Sequence, residues 1–94
     1  MINVDKLLRK ALATVIADLD KPALAAVSSE TNVFENIDSF SVVDLMLETE
    51  MLIESETGNY VTLADETVFD AEKSPLLKWS TWITYVEARC DDNK

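Results

Sequence analysis

The spacing of apolar residues near the start of the chain predicts a long amphipathic helix. Apolar residues recur at intervals of three and four: Val4, Leu7, Leu8, Ala11, Leu12, Val15, Ile16 and Leu19. Asn3 precedes this pattern as a potential N-cap. Pro22 follows it and disfavours helical geometry in the residue before it. The pattern therefore predicts a helix from about Val4 to Asp18 with one face on a core.

A second helix is predicted from about Ser39 or Phe40 to Thr57, with Asp38 or Ser39 as its N-cap. It carries apolar residues on two faces. At about 100° per residue, one stripe consists of Val42, Leu45, Met46, Thr49, Leu52 and Ile53. The opposite stripe consists of Phe40, Val43, Leu47 and Met51, with Asp44, Glu48, Glu50 and Glu54 along its margins. Since a small domain needs one stripe for its core, we predict that the acid-rimmed stripe docks on partner proteins. A homodimer contact and simple surface exposure are the alternatives.

The segments that flank the second helix carry loop signals. Residues 20–38 form a long connection, which Val33, Phe34 and Ile37 are apolar enough to hold on the core. Gly58 follows the helix and is predicted to form its left-handed C-cap.

A short third helix is predicted over Ala64–Phe69. Thr62 and Asp65 have the spacing of a capping box before it, and Val68 and Phe69 are expected to face inward. The residues before it, 60–63, read as a short extended segment.

The end of the chain predicts a last amphipathic helix. Ser80 and Thr81 are expected to cap it, and it runs to about Cys90. The sum is an all-α fold, a small four-helix bundle with three longer helices, one short third helix and a long first loop. We expect a single domain over residues 1–90 and a solvated tail over residues 91–94.

Charge and composition narrow the classes of function. The 94-residue chain has a net charge of −10, which disfavours nucleic acid and anionic membranes as partners and favours basic protein surfaces. It has no histidine and one cysteine, so imidazole chemistry and an internal disulfide are absent. Since no signal peptide or membrane-spanning stretch is visible, we expect no membrane insertion and a cytoplasmic location. No nucleophile motif, phosphate loop or EF-hand pattern occurs, so we expect no enzyme activity, no catalytic residues and no metal site.

The tripeptide Asp38-Ser39-Phe40 opens the second helix and resembles the serine motif of the acyl carrier protein family. Further segments are similar to that family: Val42–Leu47, Val61–Glu66, Ser74–Pro75 and Thr81–Val86. Phe40 stands where the family usually has leucine, and the glycine usually found before the motif is missing. The similarity covers most of the chain, but only the serine motif is specific for function.

The resemblance implies that Ser39 carries a covalent 4′-phosphopantetheine group derived from coenzyme A. A phosphopantetheinyl transferase (holo-acyl-carrier-protein synthase) would attach this group, with Asp38 helping to hold Mg²⁺ during the reaction. The phosphodiester that links the group to Ser39 would meet free amides and the positive end of the helix dipole. The protein would then carry acyl or aminoacyl groups as thioesters to enzymes of fatty-acid, polyketide or related biosynthesis, acting as a monomer. The alternative is an acidic helical interaction module without a prosthetic group, in which Ser39 only caps the helix.

Overall fold

Three α-helices form the framework of the part of the chain that the structure describes. The computed structural model describes residues 3–17, 24 and 27–92. The helices are α1 (Val4–Ile16), α2 (Ser39–Thr57) and α3 (Trp79–Asp92), with 3-10 turns at Phe34–Asn36, Glu66–Phe69 and Pro75–Leu77. No strand occurs in these ranges, so the all-α prediction is confirmed. The predicted four-helix bundle is not confirmed, because the predicted third helix is a single 3-10 turn.

Helix α1 packs its apolar face against α2 and α3. The Asn3 side chain caps it as predicted, by accepting a hydrogen bond from the Lys6 amide at 3.0 Å. The buried face consists of Leu7, Leu8, Ala11, Leu12 and Ile16. The helix has Ala17 as its C-cap. The predicted helix end at Asp18 lies outside the described residues.

Helix α2 begins and ends where the sequence predicts. Gly58 follows it with φ +77°, in the left-handed region, and its amide donates to the Glu54 carbonyl at 2.8 Å. A side chain at Gly58 would meet no neighbouring atom, so the positive φ is the reason for glycine at this position.

The core lies between α1, the inner face of α2 and the start of α3. Trp79 and Trp82 of α3 are its largest side chains, and neither is more than 1% exposed. Val33, also buried, donates its amide to the Leu76 carbonyl at 3.0 Å. The prediction that Val33 holds the long first connection on the core is therefore confirmed.

The 3-10 turn at Glu66–Phe69 differs from the helix predicted there. Asp65 caps it, accepting from the Thr67 amide at 2.9 Å, so the predicted capping box with Thr62 is not formed. Val68 is fully buried as predicted, but Phe69 is 41% exposed, and the prediction that it faces inward is wrong. Consecutive side chains in a 3-10 turn lie about 120° apart, so a single turn buries one of the two.

The start of α3 also corrects a predicted cap. The helix begins at Trp79, which puts Ser80 and Thr81 inside its first turn. The Thr81 hydroxyl donates to the carbonyls of Pro75 and Lys78 at 2.6 and 2.8 Å, rather than accepting from helix amides. The hydroxyl thereby ties the preceding 3-10 turn to α3.

The far end of α3 lies two residues beyond the predicted end at Cys90. The helix runs through Asp92, so half of the predicted tail over residues 91–94 is helical. The last two residues lie outside the described ranges.

Candidate functional site

At the start of α2, the neighbouring polar residues Asp38 and Ser39 have different roles. Asp38 is the N-cap, and its Oδ1 accepts a hydrogen bond from the Ser41 amide at 2.8 Å. Ser39 is the first residue of the helix, and its side chain is exposed. No hydrogen bond from the described residues engages the Ser39 hydroxyl. The interpretation of Ser39 as the helix cap is therefore wrong, because Asp38 fills that role.

Hydrogen bonds from the helix end also favour the ionised form of Asp38. The Ser41 amide, followed by the Ser41 hydroxyl and the Phe40 amide, lowers the pKa of the Asp38 carboxyl below its ordinary value. Asp38 is thus a carboxylate at neutral pH, directly beside the exposed serine.

The same hydrogen bonds limit which helix amides a phosphodiester on Ser39 could meet. The sequence predicts free amides at this helix end, but Asp38 already occupies the Ser41 amide. A phosphate ester on Ser39 would still gain from the positive end of the helix dipole. It would be an anion next to the Asp38 carboxylate.

One apolar face of α2 is open to solvent along its length. Its four side chains are Phe40, Val43, Leu47 and Met51, with exposed fractions of 82%, 43%, 52% and 63%. Asp44 and Glu54 beside them are exposed, and Glu48 is half-buried. We call these seven residues the outer stripe. The structure brings them to one surface that begins beside Ser39.

Glu50, predicted as part of this acidic margin, lies elsewhere. Its side chain is 4% exposed and accepts hydrogen bonds from the Tyr60 hydroxyl at 2.8 Å and from the amides of Leu63 and Ala64 at 2.7 and 3.3 Å. The prediction that Glu50 docks partners is wrong. Glu50 sits at the border between the two stripes, and the loop after α2 folds back and covers that border.

The inner face of α2 is buried, as the sequence predicts. Five of the six predicted residues are at most 2% exposed, and the sixth, Leu52, is half-buried: the five are Val42, Leu45, Met46, Thr49 and Ile53. The buried Thr49 hydroxyl donates to the Leu45 carbonyl at 2.7 Å, so this polar group has a partner within the helix. The core therefore begins within one turn of Ser39.

The loop after α2 is fastened to α3 by contacts that the sequence does not reveal. The Tyr85 hydroxyl donates to the Leu63 carbonyl at 2.6 Å. Arg89 bonds Asp65 Oδ2 at 3.3 Å and lies over the Tyr85 ring. Together with Glu50, these contacts place Tyr60 beside α2, 57% exposed. Helical periodicity does not predict Tyr60 at this surface, because Tyr60 follows the end of α2.

No match to a known protein guides the choice of function. Comparison with protein-family models, with curated proteins and with solved structures finds none that matches this chain. Within the described ranges, no group of three or more acidic or cysteine side chains could hold a metal ion. No helix in those ranges has the length and hydropathy to cross a bilayer. Functional conclusions therefore rest on the residues and geometry of α2.

Proposed function

We propose that the chain is a carrier protein whose Ser39 hydroxyl holds a 4′-phosphopantetheine group through a phosphodiester. The observation that supports this best is the arrangement at the start of α2, where Asp38 caps the helix and leaves the exposed Ser39 hydroxyl unused. When bound, the group supplies a thiol that carries acyl or aminoacyl cargo as a thioester. The protein itself delivers cargo and performs no reaction.

Asp38 is proposed to help hold Mg²⁺ while the group is attached. Its carboxyl is ionised at neutral pH, hydrogen bonds lower its pKa further below the ordinary value, and it adjoins Ser39 in the chain. Carboxylate oxygens are preferred ligands of Mg²⁺, which also uses substrate phosphates. This role would explain an acidic cap at a helix end that receives a phosphate.

The outer stripe is proposed as the docking face for the transferase and for the enzymes that load and accept cargo. Its apolar centre would fit a shallow apolar groove, and Asp44, Glu48 and Glu54 would face a basic rim. With a net charge of −10 on the chain, such a rim speeds encounter and suits brief docking. We place the protein in the cytoplasm, a reducing compartment that suits a chain with one cysteine.

A mass measurement tests the proposal. The purified protein is incubated with coenzyme A, Mg²⁺ and a broad-specificity phosphopantetheinyl transferase, and its intact mass is recorded. We expect wild type to gain one phosphopantetheine and Ser39→Ala to gain none. Ser55→Ala is the matched control, because Ser55 is an exposed serine of the same helix, and it should be modified like wild type. An unmodified wild type, or a modified Ser39→Ala, refutes the carrier proposal.

A second candidate is an acidic interaction module without a prosthetic group. The exposure of four apolar side chains on one face of α2 supports it, because that surface requires no modification of Ser39. The same stripe would also suit a homodimer contact. An unmodified protein that is monomeric by light scattering would favour the module, and a dimer that Leu47→Lys dissociates would favour self-association.

A further inference from the structure

Both arginines of this chain lie over an aromatic ring and bond a carboxylate, and Arg9 also donates to the Val27 carbonyl at 2.9 Å. Arg9 lies over the Trp79 ring, with Cζ 5.6 Å from the ring centroid, and its Nε bonds Asp5 Oδ1 at 3.0 Å. Arg89 lies over the Tyr85 ring at 5.1 Å, and its guanidinium bonds an Asp65 oxygen at 3.3 Å. Each site combines an aromatic face with a carboxylate. A planar guanidinium satisfies both partners at once, by stacking on the ring and donating to the acid.

Tyr60 presents the same two elements to solvent. Its ring is 57% exposed, and its hydroxyl is fixed by the bond to Glu50 Oε1 at 2.8 Å. Glu54 lies one helical turn after Glu50, and both carboxylates raise the pKa of the Tyr60 hydroxyl, with the hydrogen bond that this hydroxyl donates to Glu50 as the largest cause. Among the described residues, no cation lies over Tyr60 or pairs with Glu54.

We propose that Tyr60 and Glu54 bind an arginine side chain of a partner protein that docks on the outer stripe. The guanidinium would stack on the Tyr60 ring and donate to the Glu54 carboxylate, as Arg89 does with Tyr85 and Asp65. Lysine is a poorer fit, because its ammonium is a strongly hydrated point charge that does not stack.

Two features favour binding of an arginine on a partner protein over binding of a free cation at this surface. Glu54 belongs to the outer stripe, and Met51, one turn away on the same helix, is 63% exposed, so an arginine here would sit beside an apolar contact. The Tyr60 ring is held by its bond to the buried Glu50, so little side-chain freedom remains to be lost on binding. Tyr60 thereby extends the docking face beyond α2.

This inference rests on the docking part of the proposed function and does not depend on phosphopantetheine. It is therefore tested with the Ser39→Ala chain, which cannot be modified at Ser39. The probes are two synthetic amphipathic helical peptides with one apolar stripe, identical except that its flanking cations are all arginine or all lysine. Binding is measured by titrating each peptide into the isotope-labelled chain and following the amide and Tyr60 ring signals by NMR.

We expect the arginine peptide to bind about two- to fivefold more tightly than the lysine peptide, the range of an exposed cation–ring contact. Tyr60→Leu and Glu54→Gln should each abolish that preference. Glu87→Gln, which changes the charge equally at an exposed site on α3, should leave it intact. Two variants are used so that a change in folding of one does not decide the result.

Equal binding of the two peptides, no binding of either, or a preference that survives in both Tyr60→Leu and Glu54→Gln overturns the arginine site. The mass measurement on Ser39 is independent of these outcomes. A chain that is modified but shows no arginine preference refutes this inference and leaves the carrier proposal standing. A chain that prefers arginine but is never modified refutes the carrier proposal alone.

Discussion

Removing the buried carboxylate of Glu50 should destabilise the fold by an amount that its hydrogen bonds set. In Glu50→Ala the buried Leu63 amide loses an acceptor at 2.7 Å, which costs about 1–3 kcal/mol. The Ala64 amide loses a longer bond of 3.3 Å, and the exposed Tyr60 hydroxyl can bond water instead. Relief of the cost of burying a charge opposes these losses. We therefore expect a net loss of about 2 kcal/mol.

Urea unfolding followed by far-UV circular dichroism measures this change. For a small two-state domain, a loss of that size lowers the midpoint by about 1–2 M urea with an unchanged slope. Glu50→Gln should lose about half as much, because its amide oxygen can still accept from Leu63. Glu56→Ala, an exposed acid on the same helix, is the control and should change stability by less than about 0.5 kcal/mol. If Glu50→Ala is no less stable than Glu56→Ala, Glu50 does not anchor the loop.

Three further results are expected. Reversing Asp44 and Glu48 to Lys should slow modification roughly tenfold at low salt without changing helicity, and an unchanged rate would show that these acids do not guide docking. In urea unfolding, Trp79→Phe should lower the free energy of unfolding by about 1 kcal/mol more than Trp82→Phe does. The reason is that the Trp79 indole donates to Asp5 at 2.9 Å, whereas the buried Trp82 indole has no hydrogen-bond partner in the described structure. Equal losses of stability would contradict this. Because the folded pKa of Asp38 is lowered, its contribution is present above its ordinary pKa near 4 and disappears as pH falls through the folded value. The stability gap between wild type and Asp38→Asn, measured by urea midpoints, should therefore shrink on acidification below about pH 4, and a gap that stays constant would refute the charged cap.

The sequence predicts α2 well because its signals are local. Asp38 before the helix and Gly58 after it mark both ends, and the structure shows the cap bond and the left-handed turn there. The division of its apolar residues into a buried and an exposed face follows from helical periodicity alone.

The prediction of a third α-helix is wrong because its sequence signals are weak and cover few residues. Residues 64–69 have a capping residue and two apolar side chains, which suit either an α-helix or a 3-10 turn. Tertiary contacts decide between them, since Val68 reaches the core and Phe69 does not. No periodicity can be read from one turn.

The positions of Glu50 and Tyr60 cannot be predicted from the sequence for a different reason. Periodicity places Glu50 at the margin of an exposed face, but a loop ten or more residues further along the chain covers it. A glutamate that accepts hydrogen bonds from buried amides looks the same in the sequence as a glutamate that is solvated. Only the path of the chain after Gly58 distinguishes them.

Fragmentation mass spectrometry of the modified protein tests the central claim most directly. The described geometry offers Ser39 as an exposed, unused hydroxyl, whereas Ser41, two residues away, is buried and engaged with Asp38. We therefore expect every fragment that carries the phosphopantetheine mass to contain Ser39, and fragments that begin after it to be unmodified. A group located on Ser41 or on any other serine, or no modified fragment at all, would contradict the account.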